Sequence, residues 1–380
     1  MKNRLCEMFG IEFPIFAFSH CRDVVAAVSR AGGMGVLGAL AFTPEQLDLE
    51  LAWIDEHVDG RPYGVDVVIP ARSADRDAGI DSEDGIAERL HDMVPAGHRA
   101  FLEQFLADHD LPPLPEDAHR PEGLVGKGVL NWTAATGTPI IDVALAHPIK
   151  LLVSALGPPP PHVVERCREQ DIRTAALVGT VAHAVRDAQQ GIDVLIAQSS
   201  EAGGHTGDVG SMVLIPDVID AIGPDIPVLA AGGIGTGRQM AAAMALGAAG
   251  VWTGSIWLTV AEADTNPILV EKLLDAQTGD TVRSKAQSGK LNRQLRTAWT
   301  EAMDDPTGPG PLPMPLQFLL YSEVNRRAQY WGRKELVASS VGQIVSRMDR
   351  VRSSREVVLD MVTGYLEVVD RLGAEELGAD

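Results

Sequence analysis

Between Pro14 and Thr253 the chain repeats one pattern eight times: a short apolar run that stops at a polar residue or a glycine, then, in most repeats, a segment of helical period. The runs are Pro14–Phe18, Gly35–Ala39, Tyr63–Ile69, Lys150–Leu156, Arg173–Val178, Val194–Ala197, Pro227–Ala231 and Val251–Thr253. Runs of that length and composition are strands buried on both faces, which is the environment of a parallel sheet. Asp23–Ala31 reads as a helix stopped by Gly32-Gly33, and Thr43-Pro44 opens another, with threonine as N-cap and proline in the first turn. Further helices fall at His162–Gln170, Ala182–Gln190, Met212–Ile222 and Gln239–Leu246. Eight strand–helix alternations predict an α/β fold, a (β/α)8 TIM barrel, rather than an open sheet.

A minimal barrel needs about 250 residues, so a chain of 380 carries additions. Residues 1–70 hold strands one to three, and 71–131 form a charged, proline-containing insertion after strand three, with helices expected at Asp84–Met93 and His98–His109. Residues 132–256 hold strands four to eight. A C-terminal excursion, 257–354, follows strand eight, and a closing helix, Arg355–Leu372, lies within 355–380. Loops at the carboxyl face of a barrel carry function, so both additions are candidate lids or partner surfaces. Solvent-facing elaboration or a homodimer contact is an equal alternative.

A net charge of −20 argues against nucleic acid or an anionic membrane as partner, because both need a basic surface. Gln239–Ala261 contains no charged residue, but Gly247, Gly250 and Gly254 divide it into helix and strand, the pattern of a barrel wall rather than a membrane span. Cys6, Cys21 and Cys167 have neither CxxC spacing nor the density of a disulfide scaffold, and the opening MKNRLCEMFGIEFP has no apolar h-region; a cytoplasmic protein is expected. Buried, inert cysteine is the favoured reading of Cys21.

The chemistry concentrates in VLIAQSSEAGGHTG and PVLAAGGIGTGRQMAAAMALGAAGVWTGS. Strands seven and eight both end in glycine, at Gly232-Gly233 with Gly235 beyond, and at Gly254-Ser255. Bare amides at such tips can grip a phosphate, and the loops after strands seven and eight are where barrels commonly do so. Tight turns are the alternative role for the same glycines. The spacing is not the dinucleotide fingerprint, because Arg238 occupies the last glycine position. His205, flanked by glycines past the end of strand six, can take a proton from a carbon acid or donate a hydrogen bond to developing charge. Neither HExxH nor paired CxxC nor GxSxG is present, so no metal site is expected and redox chemistry has to come from an organic cofactor.

QSSEAGGHTG, AAGGIGTG and WTGS resemble the flavin mononucleotide motifs of the nitronate monooxygenase family, formerly called 2-nitropropane dioxygenases, whose relatives include flavin-dependent enoyl-acyl-carrier-protein reductases. The resemblance implies bound FMN, with His205 at the family's active-site histidine, facing the reactive edge of the flavin. It implies that Gln198 meets the polar rim of the ring, that Gly203 and Gly204 let backbone approach ring and ribityl chain, and that Gly232, Gly233, Gly235, Gly254 and Ser255 hold the phosphate. The first loop, Ala17, Phe18 and Ser19, would lie against the flavin, although the family's Ala-Pro-Met is here followed out as Ala17-Phe18-Ser19-His20-Cys21. Asp66 stands where relatives commonly have asparagine, and an ionised carboxylate there would oppose an anionic reduced ring. Ser199 replaces a usual glycine.

By this resemblance the chain oxidises an alkyl nitronate with O2 to a carbonyl compound and nitrite. The same motifs admit an NAD(P)H-dependent reductase acting on a quinone or enoyl thioester. Phosphate loops alone also admit a non-redox enzyme on a phosphorylated small molecule, and a flavin-binding protein without turnover is a fourth reading.

Overall fold

The computed structural model describes residues 3–68, 86–118 and 134–377. Eight parallel strands close a barrel: β1 (Ile15–Ser19), β2 (Met34–Gly38), β3 (Tyr63–Val67), β4 (Leu151–Ser154), β5 (Arg173–Val178), β6 (Val194–Gln198), β8 (Val228–Ala231) and β9 (Gly250–Thr253). The intervening β7 (Gly204–His205) lies outside it. Closure is made by β1 on β9, with Ile15 opposite Val251 and Ala17 opposite Thr253. All eight expected strands form. The fifth forms over the expected Arg173–Val178, while the ends of the others shift: the fourth is trimmed to the four fully buried residues Leu151–Ser154, and the expected end of the third, Ile69, lies outside the described residues.

Alternation along each strand sorts the side chains. Phe16, Val36, Val153, Ile196, Leu229 and Trp252 fill the interior, while Leu37, Leu152 and Leu195 face the outer helices. An unforeseen N-terminal helix, Arg4–Phe9, adds Leu5, Cys6 and Phe9 to the interior cluster, and Phe9 meets Phe16 edge-on with ring centres 5.5 Å apart. Helix ends follow the sequence closely. Thr43 Oγ1 accepts from Gln46 N–H while Gln46 Oε1 accepts from Thr43 N–H, a full capping box with Pro44 in the first turn. The closing helix extends over Ser354–Leu377 and packs along Gly237–Ala245.

The insertion and the excursion are one unit rather than two separate flaps. Helices Ile86–Met93 and Ala96–Asp108 share an apolar core with Pro267–Asp275, Ala298–Asp304 and Leu316–Tyr330. Phe105 packs edge-on against Trp299 at 5.1 Å. Arg333 Nη1 donates to His109 O and Arg327 Nη1 to Leu111 O, at 2.7 and 3.0 Å, so the turn after the second insertion helix is pinned to the excursion. The excursion also contributes β10 (Thr281–Ser284) and β11 (Asn292–Leu295), which extend as an antiparallel sheet onto β7. Part of the expected first insertion helix, and most of 71–131 outside the two helices, lie beyond the described residues.

Candidate active site

A cavity of about 440 Å³ opens at the carboxyl ends of the barrel strands, under the second lobe. Its size and mixed lining are those of a cofactor or ligand site. Leu177, Ala231 and Trp252 give it an apolar floor, and Phe18 lies beside Trp252 with ring centres 6.0 Å apart. Ser19, Asp66, Gln198, Gly203, Gly204 and His205 bring polar atoms or bare backbone to its wall. Gly232, Gly233, Gly254 and Ser255 meet at the tips of β8 and β9. Parallel register explains the convergence: Gln198 is paired with Ala231, and Ala231 with Trp252, so all three chains turn outward at one level.

Two expected contacts fall elsewhere. Ala17 is wholly buried among the residues between barrel and helices and does not line the cavity. Gly235 is also outside the lining, and its amide donates to Gln239 Oε1 at 3.1 Å, which uses the group that would meet an anion. Thr236 caps the same helix by accepting from Gln239 N–H. The glycine tips that face the cavity are therefore Gly232-Gly233 and Gly254-Ser255. Gly232 has φ +108°, and a Cβ there would collide with Ser199 Oγ, so the loop needs glycine. Gly254 has open space on its Cβ side, with only Phe18 Cδ1 at 3.8 Å. Ser255 Oγ accepts from Gly342 N–H at 2.9 Å and keeps its own hydrogen to donate.

His205 is positioned by the excursion. It pairs with Asn292 through β7–β11, and its Nε2 lies 2.7 Å from Ser288 Oγ. Arg293, paired with the adjacent Gly204, donates from Nε to Ser200 O and from Nη1 to Thr281 Oγ1, tying the loop between β6 and β7 to the second lobe. The imidazole keeps some surface open to the cavity, yet desolvation, and then the nearby Lys290 ammonium, hold its pKa down to about 4. It is neutral at physiological pH, as a base or hydrogen-bonding group requires.

Asp66 differs from its expected state. The residue is 5 % exposed, Oδ1 has no hydrogen-bond partner, and desolvation drives its pKa well above the ordinary carboxylate value. Among the described residues no cation offsets the loss of water, so the neutral form of the acid is favoured. Cys21 is buried at the cavity edge, its thiol pushed up by burial and donating to Glu262 O, the state of an inert cysteine. Among the described residues no cluster of His, Cys, Asp or Glu could hold a metal ion, and no helix is long and apolar enough to cross a membrane.

Sequence reasoning missed Gln287, Ser288, Asn292, Ser339 and Ser340, all cavity-lining and all from the excursion. Isolated polar residues outside the barrel strands carry no periodic signal, and it is the pairing of β11 with β7 that sets Asn292 opposite His205.

A closed barrel with a glycine-walled cavity at its carboxyl face and a half-buried imidazole on the cavity wall has the architecture of a (β/α)8 enzyme. The family model described as nitronate monooxygenase matches residues 2–364. The chain belongs to the nitronate monooxygenase family and is a flavin-dependent oxidoreductase of that type. It is 50 % identical over 379 residues to a protein of Mycobacterium tuberculosis provisionally named a monooxygenase, covering 98 % of both chains. It is 30 % identical over 360 residues to a protein of Staphylococcus aureus (strain JH9) provisionally named a nitronate monooxygenase, covering 90 % of this chain and 91 % of the relative. Among solved structures, a nitroalkane oxidase from Streptomyces ansochromogenes superposes with TM-score 0.76 at 26 % identity, covering 97 % of this chain and 99 % of that one. FabK from Thermotoga maritima shares the fold, with TM-score 0.72 at 24 % identity over 99 % of each chain.

Proposed function

We propose that the protein binds FMN in this cavity and oxidises alkyl nitronates with O2, giving carbonyl compounds and nitrite. The observation that carries the reading is the placement of His205: a neutral imidazole, fixed by Ser288, on the wall of a cavity that ends in a glycine phosphate seat. The residues fit the cofactor. Gly232 turns where a side chain would collide with Ser199, Gly254 leaves the seat open, and the apolar floor of Leu177, Ala231 and Trp252 suits a planar ring. When bound, FMN supplies the electron acceptor for the nitronate.

The chain's own groups supply the rest. Gly232, Gly233, Gly254 and Ser255 bind the phosphate through backbone N–H groups and the Ser255 hydroxyl. Gln198 meets the rim of the ring with an amide that both donates and accepts. The Ser288 hydroxyl can donate to Nε2 of His205 or accept from it, and in either case it fixes which ring nitrogen carries the proton. His205 then orients the nitronate oxygens by hydrogen bonding, and the partly desolvated Lys290 ammonium, close enough to depress the His205 pKa, draws the anion in.

The deciding experiment is anaerobic mixing of the purified, flavin-loaded protein with propyl-2-nitronate, NADH and NADPH separately. Loss of the oxidised flavin spectrum with nitronate alone, followed by nitrite release on admitting O2, is the expected result. Rapid bleaching by a nicotinamide nucleotide with none by nitronate overturns it.

A further inference from the structure

Asp66 lies in the interior layer of the barrel. Along β3, Val65 and Val67 face the outer helices, so Gly64 and Asp66 point inward, and Asp66 sits in register with Gly38 and Val153. Val153 belongs to the apolar interior. One carboxyl oxygen, Oδ1, is sealed from solvent without a donor, while the residue contributes to the cavity wall beside the expected flavin seat. Among the described residues no cation depresses its pKa, and burial raises it. An ionised carboxylate in such surroundings is strongly disfavoured, whereas a carboxylic acid has an O–H to donate and a carbonyl to accept, the same capacities as an amide.

We infer that Asp66 presents a neutral carboxylic acid to the flavin and donates its proton as a hydrogen bond to a ring heteroatom, acting in place of an amide. This rests on the FMN reading above. The consequence is opposite in sign to that of a carboxylate: a donor favours electron density on the ring, so Asp66 raises the tendency of the flavin to accept electrons. Asp66 is a cofactor-tuning group, and its proton stays on the carboxyl throughout.

The test is the midpoint potential of the bound flavin in the wild type, Asp66→Asn and Asp66→Leu, with the reduced-minus-oxidised infrared difference spectrum of each. Asp66→Asn keeps a donor and is expected to stay within the roughly 30 mV that equals a tenfold change for a two-electron couple. Asp66→Leu, of similar volume without a donor, is expected to lower the reduction equilibrium more than tenfold. The wild-type infrared spectrum should hold a protonated-carboxyl C=O band, shifted in D2O and absent from Asp66→Asn. A more than tenfold rise in Asp66→Asn with no such band means a carboxylate and overturns the inference. A protein with no flavin absorption at all overturns the function reading and this one together, which is a distinct result from a flavin-loaded protein that fails only the Asp66 arms.

Discussion

His205 Nε2 and Ser288 Oγ stand 2.7 Å apart although 83 positions separate them, one from the barrel and one from the excursion. Ser288 Oγ also lies 3.3 Å from Lys290 O and accepts from Lys290 N–H at 3.4 Å, so the hydroxyl sits in a tight turn. Ser288→Ala should keep its flavin and lose roughly three- to tenfold in kcat/KM, the value of one neutral hydrogen bond. Ser288→Thr should restore most of the loss. Steady-state turnover with a nitronate and the flavin content per chain check both.

His205 should contribute no inflection near pH 6.5 to the kcat/KM profile, because its pKa is held down to about 4. The linkage follows from the same depression. The unfolded chain binds a proton at this histidine below about pH 6.5, while the native one resists until about pH 4. Its contribution is complete above the unfolded pKa and is lost as pH falls toward 4. The wild type should therefore lose thermal stability relative to His205→Gln over that window, measurable as diverging melting temperatures.

Asp66 has the opposite linkage. Its native pKa is raised well above the ordinary carboxylate value of about 3.9, so unfolding releases a proton once the pH exceeds that value. Raising the pH then favours the unfolded state. Flavin-free Asp66→Asn should melt above the wild type at pH 7, and the gap should close as the pH drops toward 4. Equal melting curves at both pH values would show that the acid is ionised in the native fold.

Two glycines should separate folding from cofactor binding. Gly232→Ala places a Cβ against Ser199 Oγ at φ +108°, which should cost about 1–3 kcal/mol of stability and expel the flavin. Gly254→Ala, with φ −128° and no atom nearer than 3.8 Å, should leave the flavin-free melting temperature within about 1 °C of the wild type while weakening FMN at least tenfold. Calorimetry on stripped protein and FMN titration distinguish the two effects.

The barrel was legible because Val194–Ala197 and its fellows carry a signal in every residue, buried on both faces and stopped by a glycine or polar residue. The glycine tips were legible for the same reason. Helix Arg4–Phe9 was not, since six residues with three buried positions fall below any periodic test. The joint packing of insertion and excursion was hidden because Phe105 and Trp299 meet only through tertiary contact. Asp66 was legible as a departure but its charge was not, because ionisation depends on which cations come near, and sequence distance does not say.

Because His205 is strung between the barrel and the excursion, the two halves of the site can diverge at different rates. Substitutions along Gln287–Asn292 re-aim the imidazole and reshape the substrate side, while the tips at Gly232 and Gly254 remain bound by the geometry of β8 and β9. A lineage can thus exchange one ligand for another by editing the outer lobe alone, with the glycine tips of the barrel inherited unchanged.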